Sequence, residues 1–574
     1  MENGQPKIDI REENGKFYAY SSTSVMVDGK KVTQTTYYGR YDPVTGNITP
    51  KKARGKQRPK DVKEEVRKEL TVIDMLKGVD SREFGSAYLL DFVQHDARIG
   101  RDLFLSFGPD VSRTILAGSM ALVLQDGGAF SHIEDTLDRS MVRQMYNLRS
   151  DLNSDELTGF THNLGVCNSN IDDFFRLRVQ GCGDLISWDS TTKGTYSTCS
   201  GLADYLKNNK DNEDIPQIKK AFASSRQGVP VMFELYPGTM SDMATLKDFV
   251  DRIRRYKADD IIYVMDRGYG SGANIRYMID KGVRFVVPAD TDSKAVKSLL
   301  TEFNGPNRSH MVFDDHAYDV WETDLALVMS KRTNVDGTPA YDFVRISDAP
   351  DGSERIKAFV CFDTAKRSDE VQNLRLLIHD LSKRFDVLDS PDPMRDFKAM
   401  AGKASKFFEA EPEGRGLKYR VRTNAVSFAE NRAGTFVMLS TPNMDWEEMM
   451  SAYDARRLVE QNIDFDKTSW KRFYSSDPAS MLGREFVRFV ALILKCHLNH
   501  LLRSGGLRQG PSDVINSMGS ITAMGRDDEW IVKNVCKKHR TVFEAIGLDI
   551  PDTVPIGIPI YTQEEVDEAI QSGV

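Results

Sequence analysis

The chain has 574 residues, 28% of them charged, with a formal net charge of −8 and a pI near 5.8. That length suggests roughly three or four domains and ample chain for a buried core, while the acidic balance argues against a protein held on nucleic acid by bulk charge alone. The six cysteines (Cys167, Cys182, Cys199, Cys361, Cys496, Cys536) are scattered with no C-x-x-C pair, which argues for a reducing cytoplasm and against a zinc module. Cys496-His497 with His500 lies on a segment as apolar as a core helix, so a packing role is expected there. The opening Met1-Glu-Asn-Gly is polar, and no signal peptide is expected. Phe486 to Leu502 is broken by Arg488, Lys495 and two histidines, which predicts a buried helix and no membrane span.

From the N-terminus, Lys16 to Tyr41 alternates aromatic and β-branched residues around Asp28-Gly29, a hairpin signal. With the turns at Asp42-Pro43 and Thr45-Gly46 it predicts a three-stranded meander bearing Tyr18, Tyr20, Tyr37 and Tyr38, which either binds DNA or simply packs. Residues 1–60 hold twelve Lys/Arg against six Asp/Glu, and Lys51, Lys52, Arg54, Lys56, Arg58 and Lys60 form an acid-free run. Two readings stand for this run: a solvated linker, or an arm that tracks a DNA backbone. The first domain is set at 1–58. Residues 59–178 read as helical, opening with the amphipathic stretch Val62 to Leu76.

Residues 179–290 read as strand, strand, strand, helix, strand, helix, strand. The apolar run Leu185 to Trp188 predicts a buried strand with Asp189 and Thr191 at its end. Ile261 to Met265 predicts another, after which Asp266-Arg267-Gly268 and further glycines open a loop. Carboxylates at the C-terminal ends of core strands are where α/β sheets usually carry chemistry; a lone Asp there is equally a turn or helix cap. Helices are expected at Ala244 to Tyr256 and Asn274 to Lys281, and a fifth strand at Arg284 to Pro288. Residues 291–442 read as a strand-rich insertion with one helix near Asp369 to Phe385. The core resumes over 443–505, and 506–574 is expected to be a helical tail ending in a helix from Trp530 to Ile546.

The run from Tyr453 to Lys467 spaces its polar residues as Y-x2-R-x3-E-x6-K. On one α-helix, at about 100° per residue, Tyr453, Arg456, Glu460 and Lys467 share an arc of about 60°. A carboxylate flanked by two cations and a phenol suits one metal-binding acid with phosphate-gripping neighbours. Leu458, Ala455 and Phe465 fall on the opposite, packing side. Taken alone, the stripe is equally a solvated charged face.

Asp189 with Thr191, Asp266 with Gly268, and the Tyr453/Arg456/Glu460/Lys467 spacing together resemble the DDE transposases of the IS4 type, nearest its IS1634-like branch. The stretches Gly228 to Asp242, Gly434 to Thr441 and Tyr37 to Pro43 agree with it, and the resemblance runs from about residue 16 to about 505. It implies an α/β fold: an RNase H-like catalytic core interrupted by a β-rich insertion, with a small β N-terminal domain and flanking helical regions. It implies that Asp189, Asp266 and Glu460 hold two Mg²⁺ ions, with Mn²⁺ as substitute, and that Tyr453, Arg456 and Lys467 bind DNA phosphates. Thr191, Arg267 and Gly268 would stand behind the acids. The partners implied are double-stranded DNA, as terminal inverted repeats and target, and a second copy of the chain in a synaptic dimer. A transposon-end hairpin, also implied by the family, would need an aromatic for a flipped base, with Trp321, Phe436 and Trp446 as candidates and a core role as the plainer reading of each. The rival readings are another RNase H-like nuclease and a domesticated, non-catalytic DNA-binding transposase.

Overall fold

The computed structural model describes residues 8–27, 30–50, 79–197, 201–205, 215–257, 260–290, 293–303, 312–313, 318–333, 337–475, 477–526 and 528–571. They divide into two units, Met1–Val79 and Asp80–Val574. The basic run Lys51 to Lys60 and the stretch Val62 to Leu76 lie outside the described residues.

The first unit is an antiparallel sheet in the order β1 (Ile8–Glu13), β2 (Lys16–Val27), β3 (Lys30–Tyr41), β4 (Ile48–Pro50). It has four strands, where three were expected. The added strand is β1, turned onto β2 by Asn14 and Gly15, whose positive φ values of 52° and 72° suit a two-residue hairpin loop. Tyr20 and Tyr37 are directly opposed across β2 and β3, with ring centroids 5.2 Å apart.

In the second unit, β5 (Asp80–Glu83) opens a helical region that includes α1 (Ser154–Val166). Next come β6 (Leu185–Thr195), β7 (Gln217–Ser225), β8 (Pro230–Pro237), α2 (Asp242–Tyr256), β9 (Ile262–Met265) and β10 (Arg284–Pro288). Strands β11 (Val312–Phe313), β12 (Tyr318–Thr333), β13 (Pro339–Arg345) and β14 (Glu354–Asp363) precede α3 (Thr364–Asp386). The hairpin β15 (Phe408–Glu413) and β16 (Gly416–Val421) leads to β17 (Thr435–Ser440), α4 (Trp446–Asp454), α5 (Arg456–Ser469), β18 (Arg472–Phe473) and α6 (Pro478–Ser504). The chain closes with β19 (Thr522–Arg526), β20 (Glu529–Lys533) and two short helices.

One mixed sheet dominates, in the order β11-β12-β14-β17-β10-β9-β6-β7-β8, with β13 on β12 and β18 on β6. Strands β6, β9 and β10 run parallel, and β7, β8 and β17 run antiparallel to their neighbours. The parallel strands are buried on both faces, which is why they read as unbroken apolar runs. Phe249 of α2 stacks on Trp188 of β6 with centroids 3.7 Å apart, seating that helix over the strand that carries Asp189. Among the described residues no helix is long and apolar enough to cross a membrane, and the expected apolar helix is the buried middle of α6.

Two expectations about layout are corrected. The segment 291–442 carries strands continuous with the core sheet: β17 pairs with both β10 and β14, which extends the sheet past what would otherwise be an exposed edge. Its remainder, 364–432, is mostly helical around one hairpin and has an apolar cluster of its own built on Leu381, Phe385, Phe397 and Phe408. The tail at 506–574 is not simply helical either. Trp530 sits in β20, and β19 pairs with β5 from the other end of the unit, forming a three-stranded sheet.

Candidate functional site

Strand β6 is longer than expected. It continues to Thr195 because Asp189 to Gly194 stay paired with β7, while pairing with β9 stops at Trp188–Met265. Asp189 therefore lies in mid-strand, at the first position where β6 has lost its parallel neighbour. Asp266 occupies the matching position after β9. In-register parallel strands are about 4.8 Å apart, so the two aspartates follow adjacent backbone positions. Each carboxylate accepts a hydrogen bond from the next residue's N–H: Ser190 N at 2.7 Å from Asp189 and Arg267 N at 2.6 Å from Asp266. Asp266 also caps the 3₁₀ turn Arg267–Tyr269.

The third acid comes from the helix pair. Tyr453 to Lys467 is not one helix: α4 ends at Asp454, α5 begins at Arg456, and the Leu458 N–H tightens the junction by bonding to Ala455 O at 3.1 Å. Tyr453 and Arg456 still meet across the junction, with the guanidinium carbon 5.9 Å from the ring centroid. Arg456 Nη2 lies 3.0 Å from Asp266 Oδ1 and 2.9 Å from Glu460 Oε1, bridging the second aspartate to the glutamate. Of the expected packing side, Ala455 is buried and Phe465 packs on the core from a half-buried position, but the most buried face of α5 is another one. Val459, Asn462, Ile463 and Asp466 are buried, whereas Leu458 and Phe465 are only half-buried.

Asp189 is pushed up to about 6, chiefly by burial, with Asp266 and Glu460 adding repulsion that the Ser190 N–H and Arg456 only partly offset. Burial works against the charge of Arg456, but Tyr453, Asp266, Glu460 and Asp189 outweigh it and hold its pKa above the ordinary value. Tyr453 is raised, again mainly by burial. Among the described residues no three His, Cys, Asp or Glu side chains converge closely enough to hold a metal ion in this arrangement. The guanidinium of Arg456 supplies the positive charge between Asp266 and Glu460 instead. The donor set itself, three carboxylates whose mutual repulsion is incompletely neutralised, is the oxygen-rich chemistry that hard divalent cations take.

The other expected residues divide. Thr191 is buried two residues along β6 from Asp189, on the same face of the strand. Lys467 is half-buried, two turns beyond Glu460 on α5. Arg267 donates its backbone N–H to Asp266 while its side chain pairs with Asp290 at 2.7 Å, and Gly268 is exposed in the 3₁₀ turn. Trp446 is buried against Tyr318 and Phe359, a core aromatic. Phe436 lies under Lys366 Nζ at 4.5 Å and Trp321 beside Arg345, both half-buried. Missed from the sequence were Lys193, Lys220, Asn462 and Asp466, buried polar residues that join α5 to β6 and β7. Their signal was an Asp at i+7 from Val459, on the packed side of a helix.

The fold and site define a mixed α/β domain that presents two strand-borne aspartates and a helix-borne glutamate around one arginine. Residues 180–473, just over half of the chain, match the family model described as the transposase DDE domain, and the chain belongs to that family of DNA transposases. No curated protein sequence matches. Among solved structures, a piggyBac transposase synaptic complex with hairpin DNA is similar over 72% of this chain and 70% of that one, at 11% identity and a TM-score of 0.34.

Proposed function

We propose that Asp189, Asp266 and Glu460 are the acid triad of a cut-and-paste transposase that cleaves and joins DNA at the ends of an insertion sequence of the IS4 type. The observation that carries this is the register of β6 on β9, which ends at Trp188–Met265 and leaves both aspartates side by side, with Arg456 linking Asp266 to Glu460. The order β8-β7-β6-β9-β10, with only β6, β9 and β10 parallel, supports reading the core as RNase H-like.

The triad would hold Mg²⁺ or Mn²⁺, and a pair of such ions supplies Lewis-acid activation of the attacking oxygen and stabilisation of the leaving 3′ oxygen. The chain's own cations do the positioning. Arg456 presents a planar fork that can exchange its carboxylate partners for a phosphate. Lys467 and the Tyr453 hydroxyl extend that grip along the backbone next to the cut. Two ends are cut together, so the working form is a homodimer on paired inverted repeats. Purified protein with Mg²⁺ or Mn²⁺ should cleave a labelled duplex from the element's end at a fixed position, and Asp189→Ala should not. Cleavage undiminished in that variant sinks the assignment.

A further inference from the structure

Five charged side chains lie buried behind the acid site. Lys193 of β6 and Lys220 of β7 both pair with Asp466 of α5, the second at 3.3 Å. Lys220 also reaches Glu485 of α6 at 2.7 Å, and Glu485 pairs with Arg488 at 2.5 Å. None of the five is more than 6% exposed. Three cations against two anions is a costly content for a core, since apolar residues of the same volume usually hold elements together at least as well. What buried ion pairs do well is specify one register among several.

The geometry of α5 shows which register is at stake. Lys193 is four residues along β6 from Asp189, about 13 Å on the same strand face. Asp466 is six residues along α5 from Glu460, about 9 Å along the axis and about 120° around it. The helix thus touches the sheet at two stations: Glu460 and Arg456 near the aspartates, Asp466 among the lysines. Between them Asn462 donates to Ser224 Oγ at 3.1 Å and to Gly228 O at 2.7 Å, while Cys496 Sγ donates to its Oδ1 at 2.9 Å. The apolar contacts of Val459 and Ile463 would tolerate a helix rotated by one residue. The ion pairs would not, because a turn of about 100° leaves Lys193 buried without its counter-charge and Lys220 with Glu485 alone.

We propose that Lys193, Lys220 and Asp466 are positioning residues, a buried ion cluster that fixes the rotation of α5 on the sheet and so delivers Glu460 to Asp189 and Asp266. This rests on the reading of Glu460 as a member of the triad.

The test replaces the cluster by apolar side chains of similar size, Lys193→Met/Lys220→Met/Asp466→Leu, in the full chain. The variant should fold with a melting temperature no lower than the original and bind duplex DNA equally well. Its affinity for Mn²⁺ without DNA, read by calorimetry, should fall roughly 10–100-fold, and cleavage should fall with it, as when the groups that orient metal ligands are removed. Original Mn²⁺ affinity and cleavage rate in the folded triple variant would overturn the proposal. Should that variant not fold, Asp466→Glu keeps the charge but lengthens the arm. A folded Asp466→Glu protein with weakened Mn²⁺ binding supports the positioning role, and one with unchanged binding and cleavage refutes it. Glu460→Gln in the original background separates the two readings, because its retained cleavage would remove the triad assignment itself, whatever the cluster does.

Discussion

Replacing Asp189 by Asn should make the protein more stable at neutral pH while abolishing cleavage. Burial and the neighbouring carboxylates push Asp189 from 3.8 up to about 6. Because the folded value is the higher one, the folded state favours the protonated acid. The stability this lends is present in acid and is lost as pH rises from about 4 through about 6. At about 1.4 kcal/mol per pH unit, carrying the charged form at pH 7.5 costs up to about 3 kcal/mol. The side chain is only half-buried by exposed area, so about 1–3 kcal/mol is the expected gain for the neutral Asn. Urea denaturation of metal-free protein reads it directly: a higher midpoint for Asp189→Asn at pH 7.5, and an advantage about halved by pH 5. An Asn variant that is no more stable at pH 7.5, or whose gain does not change with pH, would refute the electrostatic account of the site.

Glu460→Gln should reduce metal-dependent cleavage more than about 100-fold, beyond the usual effect of disturbing a supporting residue, with duplex binding in a mobility-shift assay unchanged. Asp466→Asn leaves Lys193 facing a neutral partner and Lys220 with Glu485 alone, and should destabilise the fold by about 3–5 kcal/mol in chemical denaturation. A smaller loss would mean that water reaches those lysines. Helices α1 and α6 touch backbone to backbone at two glycines: a Cβ on Gly483 would lie 1.8 Å from Thr161 O, and one on Gly165 would lie 1.8 Å from Ala479 O. Gly483→Ala should therefore cost about 2–3 kcal/mol, and an unchanged melting temperature would show that the two helices separate freely.

The strands that precede the two candidate aspartates were legible as short apolar runs, because double burial of a parallel strand writes such runs into the sequence. Glu460 was singled out as a candidate by a one-helix spacing of its neighbours, although the helix breaks at Ala455. The same logic failed one step further along. The strand was expected to end at Asp189 to Thr191, yet it runs on to Thr195, because the β7 partner satisfies the backbone and Asp466 neutralises Lys193. A buried charge reads as surface unless its counter-charge is known, and here that counter-charge lies more than two hundred residues away. The β5–β19 pairing is hidden for a related reason: no local pattern reports a strand partner at the far end of a unit. The break at Ala455 changed little, since an αR residue at φ −60° carries the helix direction across the junction.

The pairing of β14 with β17 has a consequence for how this chain can be cut and rejoined. Phe362 and Thr435 face each other across that pair, so everything between them departs from and returns to neighbouring points on the sheet. The excursion carries its own apolar cluster, and tying its ends together costs chain entropy that grows only as the logarithm of its length. The register of β6 on β9, which sets Asp189 beside Asp266, does not depend on the excursion's size. Such a segment could be shortened to a tight turn or replaced by a foreign domain, which makes it the natural place to graft a label or a targeting module.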